Sequence, residues 1–321
     1  MNYNFKSIFK DELTSFIDFI KLSVVNWKAY QYTLSDLDSF LHSECLLDKK
    51  LDAKQLARWL GGFNTHISTK KAKLSQVRRF SRYISALGIT VSLPELPRNT
   101  IEFKPYVFSA DEMTQIFEMS DDLIITNPVS RISIEFPVLL RILYGCGLRL
   151  GEATSLKWDD INTSTGVISV RVAKNKKQRI VPMNDELTRI LSLYRTSSYF
   201  NENGCGFLFV KNNGQRRSNA AYGSVFRKIL YDLGIRNSQN TNQCYRGPCI
   251  HSLRHTFTFN SLLKAESEGR GFMETVPFLS TYLGHERLMY TDRYLKARYE
   301  LYTKSHAIIT DYTCDVFPQE V

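Results

Sequence analysis

Prolines at positions 94, 97 and 105 set a barrier that no helix crosses, because each removes a backbone donor and restricts the residue before it. Leu93-Pro94-Glu95-Leu96-Pro97 and Lys104-Pro105 therefore predict a stiff link between separately folded segments. With 321 residues and a hydrophobic fraction of 43%, there is enough apolar material for a core on each side. The expected division is a helical domain over 1–97, a linker over 98–107 and a larger domain over 108–321.

Residues 1 to about 92 read as helical throughout. Phe5, Phe9, Leu13, Phe16, Phe19 and Ile20 recur at helical spacing, and Leu37, Phe40 and Leu41 do so within a second helix expected from Tyr30 to Glu44. Gly61 and Gly62 end a third that contains Leu56, Trp59 and Leu60. A fourth, from about 68 to 87, places Val77, Phe80, Ile84 and Leu87 on one stripe and Lys71, Arg78 and Arg82 on another, with Lys70, Lys73 and Arg79 nearby and no acid between them. Such a face is commonly just solvated. Here, long cations interleaved with Ser75, Gln76 and Ser81 also suit a DNA groove, where cations meet phosphates and short polar groups approach base edges.

The second segment opens on Ser109-Ala110-Asp111-Glu112, a capping box. An apolar helix then runs through Phe136, Leu139, Leu140, Ile142 and Leu143 to Gly145 and Gly147. Val167 to Ala173 and Gln178 to Pro182 alternate like the arms of a β-hairpin with Lys174-Asn175-Lys176-Lys177 at its turn. Helices are expected again at about 184–195, 218–232, 252–266, 274–283 and 288–298. The fold class is mainly α, with a small β-sheet or hairpin in the second domain.

A formal net charge of +10 favours a polyanionic partner, and residues 1–105 carry 16 Lys and Arg against 10 Asp and Glu. No apolar run is long enough to span a bilayer, and the start Met1-Asn2-Tyr3-Asn4-Phe5-Lys6 lacks a signal-peptide layout, so a cytoplasmic protein with no membrane partner is expected. The six cysteines then read as reduced thiols. Cys244, Cys249 and His251 lack an evident fourth zinc ligand. No spaced acidic triad or phosphate-cradling glycine loop is evident, which predicts chemistry without metal or nucleotide cofactors.

His251-Ser252-Leu253-Arg254-His255, Leu283-Gly284-His285 and Tyr294 gather imidazoles, a guanidinium and a phenol, while Gly147-Leu148-Arg149-Leu150-Gly151-Glu152 sets a second arginine at a helix start. Arg149, Lys174, His251, Arg254, His285 and Tyr294 occur in the order and approximate spacing of the tyrosine recombinases, or phage integrase family, which the second segment resembles over nearly its whole length. Leu143 to Ala153 is similar to that family's first box, and Ala173 to Pro182 to its lysine hairpin. The helical first segment resembles, more loosely, its core-binding domain.

The residue types suit a phosphodiester. Arginines remain protonated and hold non-bridging oxygens through paired charge-assisted hydrogen bonds, most strongly where charge develops. In isolation, Arg149 and Arg254 would each read as a salt-bridge partner, with Glu152 orienting Arg149 or supporting the fold and His255 packing. The resemblance implies that Tyr294 is the nucleophile, forming a 3′-phosphotyrosyl link, and its interval of nine after His285 selects it over Tyr290 and Tyr299. Lys174 would protonate the leaving 5′ oxygen, with Lys176 and Lys177 as less well aligned substitutes; His251 would shuttle a proton and His285 donate to a non-bridging oxygen.

The resemblance further implies a site-specific recombinase of a mobile element or phage. Its partners would be a double-stranded DNA recombination site and further copies of itself, a dimer per site and a tetramer in synapsis, exchanging strands through a Holliday junction, with room for accessory proteins. The tail bearing Leu301, Ile308, Ile309 and Phe317 would dock on a neighbour or on its own domain. The competing readings are a non-catalytic DNA-binding factor of the same fold and a type IB topoisomerase.

Overall fold

The structure is a computed structural model that describes residues 4–24, 27–95, 105–126, 130–171, 178–197, 206–211, 213–236 and 247–284. Lys174, His285, Tyr294 and the helix expected over 288–298 lie outside the described residues. Two compact units divide between Glu102 and Phe103.

The first unit holds α1 (Lys10–Ser23), α2 (Trp27–Ser43), β1 (Lys50–Leu51), α3 (Ala53–Gly61), α4 (Ile67–Ala86) and β2 (Thr90–Val91). Phe9, Leu13, Phe16, Ile17 and Ile20 close against Leu34, Leu37, Leu56, Leu74, Val77, Phe80 and Ile84 in one core. Asp52 starts α3 as a capping box, its carboxylate accepting from the Lys54 amide at 2.8 Å while Gln55 accepts from the Asp52 amide at 2.9 Å. The parallel pairing of Lys50 with Thr90 and Leu51 with Val91 departs from the all-helical expectation. Two-residue strands are too short to show an alternating pattern. Phe19 and Leu87 also differ from expectation: both are exposed, Phe19 stacked on Tyr83 and Leu87 standing one residue past the end of α4 as its cap.

The second unit is built round α6 (Arg131–Cys146), which packs against α5 (Ala110–Thr126), α8 (Asp185–Thr196) and α10 (Ser252–Ser267). Phe136, Leu139, Leu140, Ile142 and Leu143 are all buried, so this helix is apolar nearly all round as befits a central one. The expected capping box is present: the Ser109 amide reaches Glu112 at 2.8 Å and the Glu112 amide reaches the Ser109 hydroxyl at 3.2 Å. After α6 come the single turn α7 (Leu150–Ala153) and an antiparallel sheet ordered β3 (Ile161–Asn162), β4 (Val167–Val170), β5 (Arg179–Pro182). Register pairs Val170 with Arg179 and Ile168 with Val181. The remaining helices are α9 (Asn219–Asp232) and α11 (Phe272–Leu283). Among the described residues no helix is long and apolar enough to cross a membrane.

Candidate active site

Three chain regions bring arginines to one buried carboxylate, Glu152. Helix α6 stops because Gly147 takes a left-handed conformation, φ +60°, which glycine adopts without strain. Any Cβ there would lie 2.3 Å from the Phe257 ring, so the turn also demands close approach. The chain re-enters helix at once, with Arg149 as the residue before α7 and Glu152 in that turn. Glu152 is buried, 4% exposed, and accepts from the Arg149 backbone amide at 3.1 Å and from Arg149 Nη1 at 2.8 Å.

Arg179 comes in from β5. Its Nη2 donates to Glu152 Oε2 at 2.7 Å, its Nη1 to Oε1 at 3.3 Å, and its Nε to the Tyr282 carbonyl at 2.8 Å. Arg254, in the first turn of α10 and 2% exposed, donates Nη1 to the Gly147 carbonyl and Nη2 to the Leu283 carbonyl, each at 2.7 Å, and passes 4.0 Å from Glu152. Arg149 Nη2 lies 3.4 Å from the Gly284 carbonyl. Three successive carbonyls at the end of α11 thus each face a different arginine. A helix C-terminus presents unpaired carbonyls and a partial negative charge, so cations are stabilising there. Gly284, left-handed at φ +67°, closes that end immediately before His285.

Three guanidiniums around one carboxylate leave a surplus of two positive charges, which defines an anion site. The flanking arginines hold the Glu152 carboxyl below its ordinary range in spite of burial. His251 sits at the start of α10 with one side open to solvent and its ring 4.9 Å from that of His255, edge to face. Partial removal from water, and then the Arg254 and Arg149 charges, push His251 down to about 4, with Glu152 opposing. At neutral pH it is therefore an uncharged imidazole. Cys146, beside the Gly147 turn, is a buried free thiol raised to about 12 by desolvation, which keeps it from acting as a nucleophile. Among the described residues no cluster of His, Cys, Asp and Glu could hold a metal ion.

Of the expected site residues, Arg149, His251 and Arg254 are brought together. The salt bridge that Arg149 would form in isolation is also present. Arg179 was visible only as part of the hairpin motif, yet all three of its guanidinium nitrogens have acceptors. On α4, Arg78 and Arg82 are exposed and Lys71 partly so, and none has an ion-pair partner among the described residues. Lys73 is instead taken up by Asp36 at 2.5 Å and by the Phe63 ring, and Arg79 lies over Tyr30. Ser81 is buried in the core rather than turned outward with these cations, one step round the helix from Arg82.

A mainly helical domain with a three-stranded sheet thus carries a cluster of arginines with surplus positive charge. The chain belongs to the phage integrase family, the tyrosine recombinases, matching it over residues 107–300. Similar proteins include the tyrosine recombinase XerC of Oceanobacillus iheyensis, 27% identical over 93% of this chain and 88% of that protein. The tyrosine recombinase XerD of the same organism is 25% identical over 81% of this chain and 78% of its own. Among solved structures, a lambda integrase tetramer bound to a Holliday junction superposes with a TM-score of 0.64 at 15% identity, covering 89% of this chain and 80% of that one.

Proposed function

We propose that the protein is a site-specific DNA recombinase that cuts and rejoins strands by transesterification, in the integration or excision of a mobile element. The observation that carries this is the cluster of Arg149, Arg179 and Arg254 around Glu152, with a neutral His251 beside it. A phosphodiester carries one negative charge, which grows as the phosphorane-like transition state forms, and a preorganised cation surplus stabilises the later state more than the earlier. Arg149, about a quarter exposed, meets a non-bridging oxygen directly. Arg254 exchanges a carbonyl contact for a phosphate oxygen, since an anionic acceptor holds a guanidinium more strongly than a neutral carbonyl does.

Tyr294 attacks phosphorus. Its proton passes to His251, the Tyr294 oxygen bonds to phosphorus, and the bond to the 5′ oxygen breaks as Lys174 supplies that oxygen with a proton. An imidazole held near 4 by burial first and then by two guanidiniums is a weak base, but the arriving phosphate opposes those guanidiniums and so raises its basicity when it is needed. His285 donates to a non-bridging oxygen. The 3′-phosphotyrosyl link keeps the phosphodiester energy, so rejoining to a new partner needs no nucleotide. A dimer binds each site and two sites pair as a tetramer that passes through a Holliday junction; the exposed Arg78 and Arg82 and the partly exposed Lys71 of α4 bind the target duplex.

The test uses nicked suicide substrates cut from the DNA that flanks the element. The unaltered protein is expected to form a covalent 3′ adduct that Tyr294→Phe does not form, and to yield junctions only when two sites are present. No adduct on its own site would refute catalysis and leave a DNA-binding factor. Adduct formation with supercoil relaxation but no junctions would indicate topoisomerase chemistry instead.

A further inference from the structure

Arg179 is engaged along its whole fork. Nε and both terminal nitrogens each have a protein acceptor, on Glu152 and on the Tyr282 carbonyl, and the side chain is 10% exposed. It therefore joins three elements: β5, the α7 turn that carries Glu152 beside Arg149, and the end of α11. Its strand position is unusual for a charge. Along β5, Arg179 shares the inward face with buried Val181 while Ile180 points out, 67% exposed. Arg179 also stands five residues after Lys174 in the chain.

We propose that Arg179 is a positioning residue: it fixes the strand that follows Lys174 against the Arg149–Glu152 pair, so that the lysine ammonium is delivered to the leaving oxygen. This rests on the transesterification reading above. The fork geometry matters more than the charge, because only a planar guanidinium can span both carboxylate oxygens and a backbone carbonyl at once.

The experiment compares two suicide substrates at the cleavage site mapped for the unaltered protein, one with the ordinary 5′ oxygen at the scissile phosphate and one with sulfur in that bridging position. A departing thiolate needs no proton, so a defect in proton delivery disappears with sulfur. Arg179→Met and Arg179→Lys are expected to form the adduct roughly 100-fold more slowly than the unaltered protein with oxygen, the scale of a lost general acid, and to approach it with sulfur. Arg149→Lys, placed on the phosphate itself, is expected to stay slow with both. DNA binding and melting temperature of each variant, measured alongside, report folding. Equal loss on both substrates in a folded Arg179 variant, or recovery by Arg179→Lys with oxygen, overturns the assignment. If the unaltered protein is silent on both substrates, the transesterification reading itself fails and takes this one with it.

Discussion

Replacing Glu152 by Gln should expose how the site stores its charge. The carboxylate lies 2.8 Å from Arg149, 2.7 Å from Arg179 and 4.0 Å from Arg254, and it is almost fully buried. One such pair at 4 Å amounts to about 4 kcal/mol at an effective dielectric of about 20, and the cost of desolvating the ions offsets much of the total. Glutamine keeps the shape but turns an NH2 toward guanidinium donors and leaves three cations without their counter-charge. Breaking a buried ion pair from one side typically costs about 3–5 kcal/mol, and with glutamine's remaining acceptor the expectation is the lower end, about 3 kcal/mol. In a unit of this size that is a fall of about 6–12 °C in melting temperature by calorimetry. The pH dependence carries the sign. The folded carboxyl titrates below the unfolded value of about 4.3, so its contribution is complete above that value and is lost as pH falls through the folded one. The gap between Glu152→Gln and the unaltered protein should therefore narrow in acid. A gap under about 0.5 kcal/mol at pH 7, the range of ordinary surface substitutions, or one that widens below pH 4, would refute the reasoning.

Three further outcomes are expected. His251, followed by NMR, should titrate at about 4 in the free protein and move upward when a phosphodiester analogue or DNA occupies the site; because its folded value lies below its unfolded one near 6.5, it withdraws stability as pH falls between them, and a normal titration would remove both its burial and the guanidinium contacts from the account. Gly147→Ala should destabilise by about 2–4 kcal/mol through left-handed strain and the Phe257 clash, with Phe257→Leu recovering part of it; a lone loss below about 1 kcal/mol would contradict the geometry. Arg78→Ala and Arg82→Ala should weaken duplex binding and each lower the salt slope by about 0.9, with melting temperature unchanged; an unaltered salt slope would mean that this face is merely solvated.

The helices, the capping box at Ser109 and the stop at Gly147 were legible because local chemistry fixes them: periodic apolar residues, a reciprocal side-chain cap and a glycine-only conformation. Arg149 and Arg254 were legible by motif, but their carbonyl contacts were not, since those depend on where α11 ends. Arg179 escaped for a physical reason that was nonetheless written in the pattern. An inward arginine next to an outward isoleucine inverts the usual alternation of a half-buried strand, and only a buried counter-charge from elsewhere, Glu152, makes that favourable. Lys73 and Ser81 misled the reading of α4 because helical spacing alone does not reveal Asp36 on α2 or the exact edge of the buried stripe.

The three arginines that meet the end of α11 come from positions 149, 179 and 254, and their carbonyl partners from 282 to 284. During synthesis Arg149 and Arg179 emerge more than a hundred residues before the helix end that they meet, and Arg254 only 29 before it. A nascent chain short of those carbonyls can already pair Arg149 and Arg179 with Glu152 and Arg254 with the Gly147 carbonyl, but nothing yet ties the three guanidiniums to one helix end. The full arrangement of the cluster thus closes late, when contacts that span more than a hundred residues form.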